Sequence, residues 1–408
     1  MKPTVVIVGA NLAGGRAAET LRAEGFEGRI VLIGEESRRP YERPPMSKEV
    51  LRGEWPPERA FLRSEEWYAE NDVELMLGVR ATMVDTAEQT VVAGGALVPY
   101  DALLFATGGT PRELPIPGAD LPGVHALRTM DDAAAIGASL QQGARAFIVG
   151  AGFIGCEVAA SARSMGCEVT VADIFGVPLE RALGPEIGAV YGSIHRERGV
   201  GLRMNAEVER IEGAGRVERV VLGDGTAFDT DVVVMGVGII PNDELAREAG
   251  IACGNGILVD EHCMTSTRGV FAAGDVAEHP NPILGARIRV EHWQNAQNQG
   301  AAAARAILGK PEPFAEVPWF WSDQYDVNLQ VAGHPVTWDR IVYRGSVAER
   351  NFTAFYLDGA RIAAVAGLNR GKEVRAGRAL IQAGARIDDS VLADDGTDMR
   401  ALAKAATA

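Results

Sequence analysis

Two glycine-rich turns, each between an apolar strand and a helix, constrain this chain more than any other feature of its sequence. The second turn, GAGFIG at residues 150–155, matches the dinucleotide fingerprint G-x-G-x-x-G in full. The first turn, GANLAG at 9–14, matches it except that Asn11 replaces the second glycine. Such a turn lets a pyrophosphate approach the unpaired N–H groups and the positive dipole of a helix N-terminus. The sequence therefore predicts an α/β fold with two Rossmann-like dinucleotide-binding domains.

The first turn lies in the context that a functional site requires. The apolar run TVVIV at 4–8 predicts a buried parallel strand, and Arg16–Glu24 predicts a helix. A second strand, Arg29–Ile33, precedes Glu35, which follows Gly14 by 21 residues. A carboxylate at this distance can bind the hydroxyls of an adenosine ribose, so we expect Glu35 to have that role.

Asn11 raises the question of whether the first site is functional. Gly9 allows a tight turn, and Gly14 allows the helix to pack closely on the strand. Asparagine tolerates a positive φ better than most residues. We therefore expect Asn11 to preserve the turn and to place its polar side chain beside phosphate or ribose.

The second turn predicts which nicotinamide coenzyme binds. The strand after its helix ends at Asp173, which follows Gly155 by 18 residues and can bind both ribose hydroxyls of NAD. The 2′-phosphate of NADP would meet the negative charge of this carboxylate. Residues 174–178 contain no cation to offset it, and Arg181 is the nearest candidate. We expect a preference for NADH.

Three further apolar segments end in small or acidic residues, as strands do where they approach a ligand. They are YDALLFATG at 100–108, GVFAAGD at 269–275 and VVVMGVGIIPND at 232–243. The third segment is expected to return the chain from the second nucleotide domain to the first.

Composition excludes several other classes of protein. A chain of 408 residues is long enough for about three domains. Its four cysteines and six histidines show no metal-ligand spacing, so no metal site is expected. The net charge of -15 argues against broad nucleic-acid binding. The start MKPTVVIVG has no signal-peptide pattern and no apolar run is long enough to span a membrane, so we expect a soluble cytoplasmic protein.

Motifs along nearly the whole chain resemble those of the two-dinucleotide-binding-domain flavoproteins, and within them the ferredoxin reductases of the putidaredoxin reductase and biphenyl dioxygenase type. Besides the two fingerprints, they are PYERPPMSKEVL at 40–51, ATG at 106–108, LRTMDDA at 127–133, AAGD at 272–275, VEHWQNAQNQG at 290–300 and PWFWSDQ at 318–324. The resemblance implies a discontinuous FAD-binding domain (1–110 and 243–318), an inserted NAD-binding domain (111–242) and a C-terminal α+β domain with an antiparallel sheet (319–408).

The resemblance also implies the residues that contact each cofactor. For FAD they are Gly9, Asn11, Ala13, Gly14, Glu35, Arg43, Lys48, Ala81, Thr107, Gly108, Arg128, Gly274, Asp275, Glu291 and Trp293. For NAD they are Gly150, Gly152, Phe153, Ile154, Gly155, Glu157, Asp173 and Gly238. Asp275 would accept a hydrogen bond from a ribityl hydroxyl, Arg128 would supply charge to a phosphate, and Trp293 would offer a flat apolar surface near the ring system.

The segment PYERPPMSKEV contains no cysteine, although disulfide reductases of this fold carry C-x-x-x-x-C beside the flavin and peroxidases a single cysteine. Without a thiol relay, electrons would pass from NADH to FAD and then singly to a one-electron acceptor. The resemblance implies that Lys48 lies near the reactive flavin nitrogen. It also implies that Glu157 forms an ion pair with Lys48 across the domain boundary, and both are candidate catalytic residues.

The residues and the resemblance leave several functions open. The first is reduction of a [2Fe–2S] ferredoxin that supplies an oxygenase, either a Rieske dioxygenase or a cytochrome P450, as in aromatic hydrocarbon catabolism. The second is a slow flavoprotein with a binding or signalling role, and a third is electron supply to rubredoxin or nitrite reductase. The motifs PPMSKEV, QNAQNQG and PWFWSDQ favour the first.

Docking of an acidic ferredoxin on a chain of net charge -15 requires a local basic patch or an apolar surface. We expect Arg63, Arg305 and Lys310 to contribute cations, the last two from the helix after Trp293. A second cluster lies in the C-terminal segment at Arg370, Lys372, Arg375 and Arg378. The aromatic run Trp319, Phe320 and Trp321 could form an apolar interface, a covered path to the flavin, or ordinary core.

Overall fold

The structure is a computed structural model, and it describes residues 2–407. Its first segment contains β1 (Thr4–Val8), α1 (Leu12–Ala23), β2 (Arg29–Gly34), α2 (Glu65–Glu70), β3 (Val73–Leu77), β4 (Ala81–Asp85), β5 (Thr90–Ala93), β6 (Ala96–Pro99), β7 (Ala102–Phe105) and β8 (Gly109–Pro111). The second contains β9 (Val124–Ala126), α3 (Met130–Ser139), β10 (Arg145–Val149), α4 (Phe153–Ser164), β11 (Glu168–Asp173), α5 (Glu180–Glu197), β12 (Gly201–Met204), β13 (Val208–Glu212), β14 (Arg219–Leu222), β15 (Ala227–Asp229) and β16 (Val232–Met235).

The third segment contains β17 (Ile239–Pro241), α6 (Glu244–Glu248), β18 (Cys253–Gly254), β19 (Gly256–Leu258), β20 (Val270–Ala272), β21 (Ala277–Asn281), β22 (Ala286–Arg289) and α7 (Trp293–Ile307). The fourth contains β23 (Trp319–Gln324), β24 (Val327–Gly333), β25 (Arg340–Ser346), β26 (Asn351–Asp358), β27 (Arg361–Leu368), α8 (Gly371–Gln382), α9 (Asp389–Ala393) and α10 (Met399–Ala406).

A five-stranded parallel sheet, in the order β20-β7-β1-β2-β3, forms the framework of the first nucleotide site. Its central strand is the apolar run at 4–8, which is buried as its composition predicts. Strand β20 lies beside β7, with Val270 opposite Leu103, although more than 160 residues separate them in sequence. The sheet is therefore assembled from two separate parts of the chain.

A second parallel sheet, in the order β12-β11-β10-β16-β9, forms the framework of the other nucleotide site. It lies between the two parts of the first sheet in sequence. The two crossings of the chain are β8 and β17, which pair antiparallel with Ile240 opposite Thr110. The expected return of the chain through 232–243 is thus made by β16, which belongs to the second sheet, and then by β17.

The fourth segment forms an antiparallel sheet, in the order β23-β24-β27-β26-β25, with α8 packed on one side. Its other side shares a hydrophobic core with α4 and α5, through residues such as Leu329, Phe352 and Tyr191. This packing brings β23 against α4, so the C-terminal sheet reaches the second nucleotide site. The remaining strands form small sheets, of which β4-β5-β6 and β13-β14-β15 are antiparallel.

The sequence misplaced the start of one helix and the end of another. We expected the first helix at Arg16–Glu24, but α1 begins at Leu12, directly after its N-cap Asn11. Two glycines in its first turn, Gly14 and Gly15, made that part of the sequence resemble a loop. Lys310, expected on the helix after Trp293, lies beyond the end of α7 at Ile307. Within residues 2–407, no helix is long and apolar enough to cross a membrane.

Candidate functional site

The first glycine turn connects β1 to α1 and brings three chain segments together. Gly9 has φ +121°, and a Cβ there would lie 2.0 Å from the carbonyl oxygen of Ala106 at the end of β7. A Cβ on Gly14 would lie 2.0 Å from the carbonyl oxygen of Gly9. Both positions therefore require glycine, and the turn packs closely against the end of β7.

Asn11 preserves the turn, as expected, but it does so by hydrogen bonds and not by a positive φ. Its φ is −108°, so this position does not need the tolerance of positive φ that we assigned to asparagine. Its Oδ1 accepts a hydrogen bond from the N–H of Ala13 at 3.2 Å, and its Nδ2 donates to the carbonyl of Ala106. Asn11 therefore caps α1 and ties the turn to the end of β7, and these bonds use its side chain within the protein.

Glu35 and Ala81 lie at the outer edge of the first site. Glu35 follows β2, is exposed, and pairs with Arg80 at 3.1 Å between Nη1 and Oε1. Arg80 directly precedes Ala81 at the start of β4, so the structure brings together these two predicted contacts. The neighbouring Glu36 is engaged elsewhere, because it accepts hydrogen bonds from Tyr41 and Arg43.

Arg43 is held by groups on three sides. Its Nη2 lies 2.7 Å from Glu36, and its Nη1 donates to the hydroxyl of Tyr41 and to the carbonyl of Arg128. These contacts place Arg43 beside Arg128, as is expected if both arginines contact the same cofactor. They also fix the segment that leads to Lys48.

Arg128 and Asp275 form an ion pair, with 2.9 Å between Nη2 and Oδ2. Arg128 also lies beside the turn after β7, since a Cβ on Gly108 would be 3.2 Å from its Nη2. Gly274, next to Asp275, has φ +81° and faces Ala13 of α1. Residues from three distant stretches of sequence therefore converge on the N-terminal end of α1.

Thr107 contacts the chain crossing. Its hydroxyl donates to the carbonyl of Asn242 at 2.6 Å, while the side-chain amide of Asn242 donates back to the carbonyl of Thr107 at 3.0 Å. Asn242 also accepts from the hydroxyl of Thr110. Thr107 therefore holds the junction between β8 and β17, a role that the sequence did not indicate.

Trp293 begins α7 and belongs to an aromatic cluster. Its ring meets Trp321 edge-on at 5.7 Å between centroids, and Trp321 stacks on Trp319 at 5.4 Å. The indole Nε1 of Trp293 is buried and has no hydrogen-bond partner within the described part of the chain. Nearby, Glu291 pairs with Arg289 at 2.8 Å.

The second glycine turn repeats the geometry of the first. Gly150 has φ +98°, and a Cβ on Gly155 would lie 1.9 Å from the carbonyl oxygen of Gly150. Gly152 is the N-cap of α4, and a Cβ there would meet only the carbonyl oxygen of Gly236, at 3.9 Å, so the position is uncrowded within the described residues, as a phosphate approach requires. Phe153 packs against Phe320 of β23 at 4.7 Å, whereas Ile154 remains exposed.

Asp173 ends β11 and supports this turn. Its Oδ2 accepts from the N–H of Ala151, and its Oδ1 accepts from the N–H of Phe175 at 3.0 Å. The carboxylate therefore lies against the turn, where the ribose of a nucleotide on α4 would lie. Gly238, with φ +95°, precedes β17 in the segment that leaves β16.

Lys48 and Glu157 form the expected ion pair, with 2.9 Å between Nζ and Oε2. Only 5% of Lys48 and 4% of Glu157 are exposed, so both charges are removed from water. Lys48 follows a 3-10 turn at Pro44–Ser47, and Glu157 lies in the first half of α4. The pair therefore joins the two nucleotide-binding units at their boundary.

Two serines that the sequence analysis did not select complete the surroundings of Glu157. Ser47 donates to Oε2 at 2.5 Å, and Ser322 of β23 donates to Oε1 at 2.7 Å. Ser47 is adjacent to Lys48 and Ser322 lies within the motif PWFWSDQ, so both belong to segments that the sequence had already indicated. Nothing in the sequence indicated that Ser322 would reach α4.

The three docking candidates are all paired within the chain. Arg63 lies 3.2 Å from Glu19, while Arg305 and Lys310 lie 3.3 Å and 3.0 Å from Glu24. Glu24 is the C-cap of α1, so Arg305 and Lys310 lie about 18 Å along the helices from the glycine turn and from Trp293. Their part in docking remains a prediction.

The residues fit both predicted cofactors. For FAD, the first glycine turn and the exposed carboxylate of Glu35, which follow the carboxyl ends of β1 and β2, offer a pyrophosphate cradle and a ribose acceptor. The Nε1 of Trp293, without a partner in the described part of the chain, offers a donor at the start of α7. For NAD, the second turn and Asp173 offer the corresponding groups on α4. Lys48 and Glu157 lie between the two sets.

Comparison with known families and proteins agrees with this geometry. The model of the pyridine nucleotide-disulphide oxidoreductase family matches residues 3–300, and the reductase C-terminal family matches residues 319–403. The chain is 44% identical to the anthranilate 1,2-dioxygenase system ferredoxin–NAD(+) reductase component of Burkholderia cepacia, covering 95% of this chain and 96% of that one. It is 36% identical to putidaredoxin reductase of Pseudomonas putida, covering 99% and 97%.

The structural comparison extends over the whole molecule. Putidaredoxin reductase, in its covalent complex with putidaredoxin, superposes with a TM-score of 0.97 at 36% identity over 100% of this chain and 99% of that one. A ferredoxin reductase of Rhodopseudomonas palustris gives 0.95 at 35% identity over 98% and 100%. The chain therefore belongs to the pyridine nucleotide-disulphide oxidoreductase family and, within it, to the FAD- and NADH-dependent ferredoxin reductases.

Proposed function

We propose that this chain is a ferredoxin–NAD(+) reductase that passes electrons from NADH through FAD, one at a time, to a [2Fe–2S] ferredoxin serving an oxygenase. The printed names of its relatives support this function. They include reductase components of anthranilate and benzene 1,2-dioxygenase systems, and putidaredoxin reductase was solved in complex with putidaredoxin.

The positions of the cysteines are the main observation that supports electron transfer from the flavin to the acceptor without a thiol relay. All four cysteines are free, and none lies in the segment 40–51 around Lys48. Cys156, the cysteine adjacent to Glu157, is buried and donates to the carbonyl of Ala151 at 3.3 Å. Burial raises the pKa of its thiol, which keeps it protonated and unreactive. A disulfide relay, despite the family's name, has no thiol pair available here.

Lys48 and Glu157 have complementary roles in this proposal. Bound FAD supplies the chemistry that couples a two-electron donor to one-electron acceptors. Lys48 would place a positive charge near the reactive flavin nitrogen, where negative charge accumulates on reduction, and Glu157 would hold the ammonium group in that position. Because both side chains are almost completely buried, their interaction is weakly screened by solvent.

The aromatic cluster supports an exit at the C-terminal domain. Trp319 and Trp321 are partly exposed on β23, and Trp321 contacts Trp293 at the start of α7. Aromatic side chains of this kind are enriched at the centres of protein interfaces. A ferredoxin bound at this position would lie close to the FAD site.

The domain boundaries and the location of the enzyme follow as parts of the same proposal. We infer an FAD-binding domain at 1–110 and 243–318, an NAD-binding domain at 111–242 and a C-terminal domain at 319–408. The pairing of β20 with β7 and of β17 with β8 supports this division. Dependence on NADH and delivery of electrons to an oxygenase system indicate the cytoplasm.

The test is reduction of cytochrome c by NADH with and without a [2Fe–2S] ferredoxin. The proposal predicts rapid reduction only when both the enzyme and the ferredoxin are present. Replacing the ferredoxin by rubredoxin distinguishes the alternative acceptor. Rapid reduction without any carrier, reduction through rubredoxin alone, or slow turnover with every carrier contradicts the proposed function.

A further inference from the structure

Glu157, on α4 of the NAD-binding unit, accepts hydrogen bonds from the other two units of the molecule. It accepts from Lys48 and Ser47 on the FAD side and from Ser322 of the C-terminal sheet. A buried carboxylate is stable only if such donors replace the water that it has lost. Ser322 is fully buried, and it is the only donor to Oε1 among residues 2–407.

Ser322 is itself oriented by a second group of buried side chains. Gln324 Nε2 donates to Ser322 Oγ at 3.2 Å, which leaves the serine hydrogen directed at Glu157. Gln324 Oε1 lies 2.9 Å from His195 Nε2, and His195 Nδ1 lies 3.1 Å from the hydroxyl of Tyr325. His195 belongs to α5, whereas Gln324 and Tyr325 lie at the end of β23 and in the turn after it.

The donors and acceptors of this chain fit one direction. Because the oxygen of Gln324 can only accept, His195 must donate from Nε2, and its Nδ1 must then accept from Tyr325. Burial lowers the pKa of His195 to about 4, so the ring is neutral near pH 7 and retains one donor and one acceptor. Every bond from Tyr325 through His195, Gln324 and Ser322 therefore donates toward Glu157, and aligned hydrogen bonds strengthen one another.

We propose that Ser322, oriented by Gln324 and His195, is a positioning residue that holds the Glu157 carboxylate against Lys48. The proposal rests on the proposed function, since it concerns the same site. It gives the C-terminal sheet and α5 a part in NADH oxidation, although neither belongs to the glycine turns. A shift of β23 relative to α4 would change the orientation of Glu157 directly.

Ser322→Ala removes the hydroxyl and little volume. Ser164→Ala is the matched control, because Ser164 lies on the same helix as Glu157 and its hydroxyl donates only to the carbonyl of Ala160. In stopped-flow measurements on the FAD-loaded enzymes, we expect Ser322→Ala to lower the rate constant for flavin reduction at saturating NADH about tenfold. The NADH dissociation constant should stay within about twofold, and Ser164→Ala should match the wild type in both quantities.

A second readout does not depend on activity. In protein labelled with 15N-histidine, NMR should show one tautomer of His195, protonated at Nε2. Gln324→Leu removes the acceptor and should give a mixture of tautomers, together with a fall of about threefold in the flavin reduction rate. This variant also keeps the proposal testable if Ser322→Ala does not fold.

Three kinetic results would overturn the proposal. The first is a wild-type rate of flavin reduction in both Ser322→Ala and Gln324→Leu. The second is a loss of NADH affinity in Ser322→Ala as large as its loss of rate. The third is the same loss of rate in Ser164→Ala as in Ser322→Ala. A single His195 tautomer in Gln324→Leu would also contradict it. No measurement in this set uses ferredoxin, so a wrong assignment of the electron acceptor would leave all of them unchanged.

Discussion

Asn11 shows how far one residue's chemistry could be read from its position in a motif. The sequence correctly placed it in a turn between a strand and a helix, because the flanking strand and helix are local features. Its contact with Ala106 could not be predicted, since the end of β7 reaches the turn only through sheet pairing. Asparagine can replace the second glycine of the motif because position 11 has a negative φ. The position of this turn that has a positive φ is Gly9.

Ser322 and His195 were inaccessible to sequence reasoning for the same reason. Lys48 and Glu157 could be selected because the resemblance identified both, and the ion pair is confirmed. Ser322 lies 165 residues from Glu157, and no local pattern distinguishes it from a serine on an ordinary strand. Only the packing of the C-terminal sheet on α4 gives it a role.

Removing the ammonium group of Lys48 should slow flavin reduction. In Lys48→Met, Glu157 keeps its two serine donors and loses its charged partner, so we expect the rate with NADH to fall at least about tenfold. The buried carboxylate left behind should also lower the free energy of unfolding by about 3–5 kcal/mol. Stopped-flow absorbance and urea denaturation measure the two effects.

Arg52→Met is the control for Lys48→Met. Arg52 lies in the same segment, but its main partner is Glu54, whose side chain is about half exposed. Its loss should leave both quantities close to those of the wild type. Flavin reduction in Lys48→Met at the wild-type rate would remove Lys48 from the catalytic residues.

At the scale of elements, the crossing of α1 and α7 requires a small residue. A Cβ on Gly300 of α7 would lie 2.4 Å from the carbonyl oxygen of Ala13, a backbone atom that cannot move without displacing α1. In an unconstrained helix, Gly→Ala stabilises by about 1 kcal/mol. Here the clash should dominate, so we expect Gly300→Ala to destabilise the protein and weaken FAD binding.

Gly192→Ala in α5 is the matched substitution. Its nearest contact would be the end of the flexible Arg196 side chain at 3.2 Å, so it should be neutral or slightly stabilising. Thermal unfolding of the two variants with and without FAD measures the difference. Equal melting temperatures would contradict the close-contact argument.

Strand β11 and helix α4 together predict coenzyme choice. Asp173 ends β11 beside the second glycine turn, and residues 174–178 supply no cation. A 2′-phosphate would therefore meet an uncompensated carboxylate. We expect kcat/KM for NADH to exceed that for NADPH by at least about tenfold, which corresponds to about 1.4 kcal/mol. Equal values in steady-state assays would refute this prediction.

The secondary structure near the fingerprints was more predictable than the connections between units. Strands at 4–8, 29–34 and 168–173 follow from apolar, β-branched composition, which is a local signal. The antiparallel pairing of β8 with β17 involves two three-residue strands more than 120 residues apart. Such short segments carry no periodicity, and their pairing depends on the fold of the two sheets.

At the scale of the whole molecule, charge poses the main problem for ferredoxin docking. The chain carries a net charge of -15, so its overall field should repel an acidic partner. The exposed cations must act locally, and most of those that we selected are already paired. In the C-terminal cluster, Arg370 and Arg378 pair with acids of the chain, whereas Lys372 and Arg375 are exposed.

A test of docking must therefore distinguish the loss of ion pairs within the chain from the loss of contacts with ferredoxin. Reversing the charge at Arg63, Arg305 and Lys310 together should slow ferredoxin reduction, leave flavin reduction by NADH unchanged, and reduce the salt dependence of the rate. Glu24→Gln is the control, because it releases Arg305 and Lys310 from their shared partner without removing their charge, and it should not slow ferredoxin reduction. If the triple variant reduces ferredoxin normally and the wild-type rate is independent of ionic strength, these cations have no docking role. The partly exposed tryptophans of β23 would then be the better account of the interface.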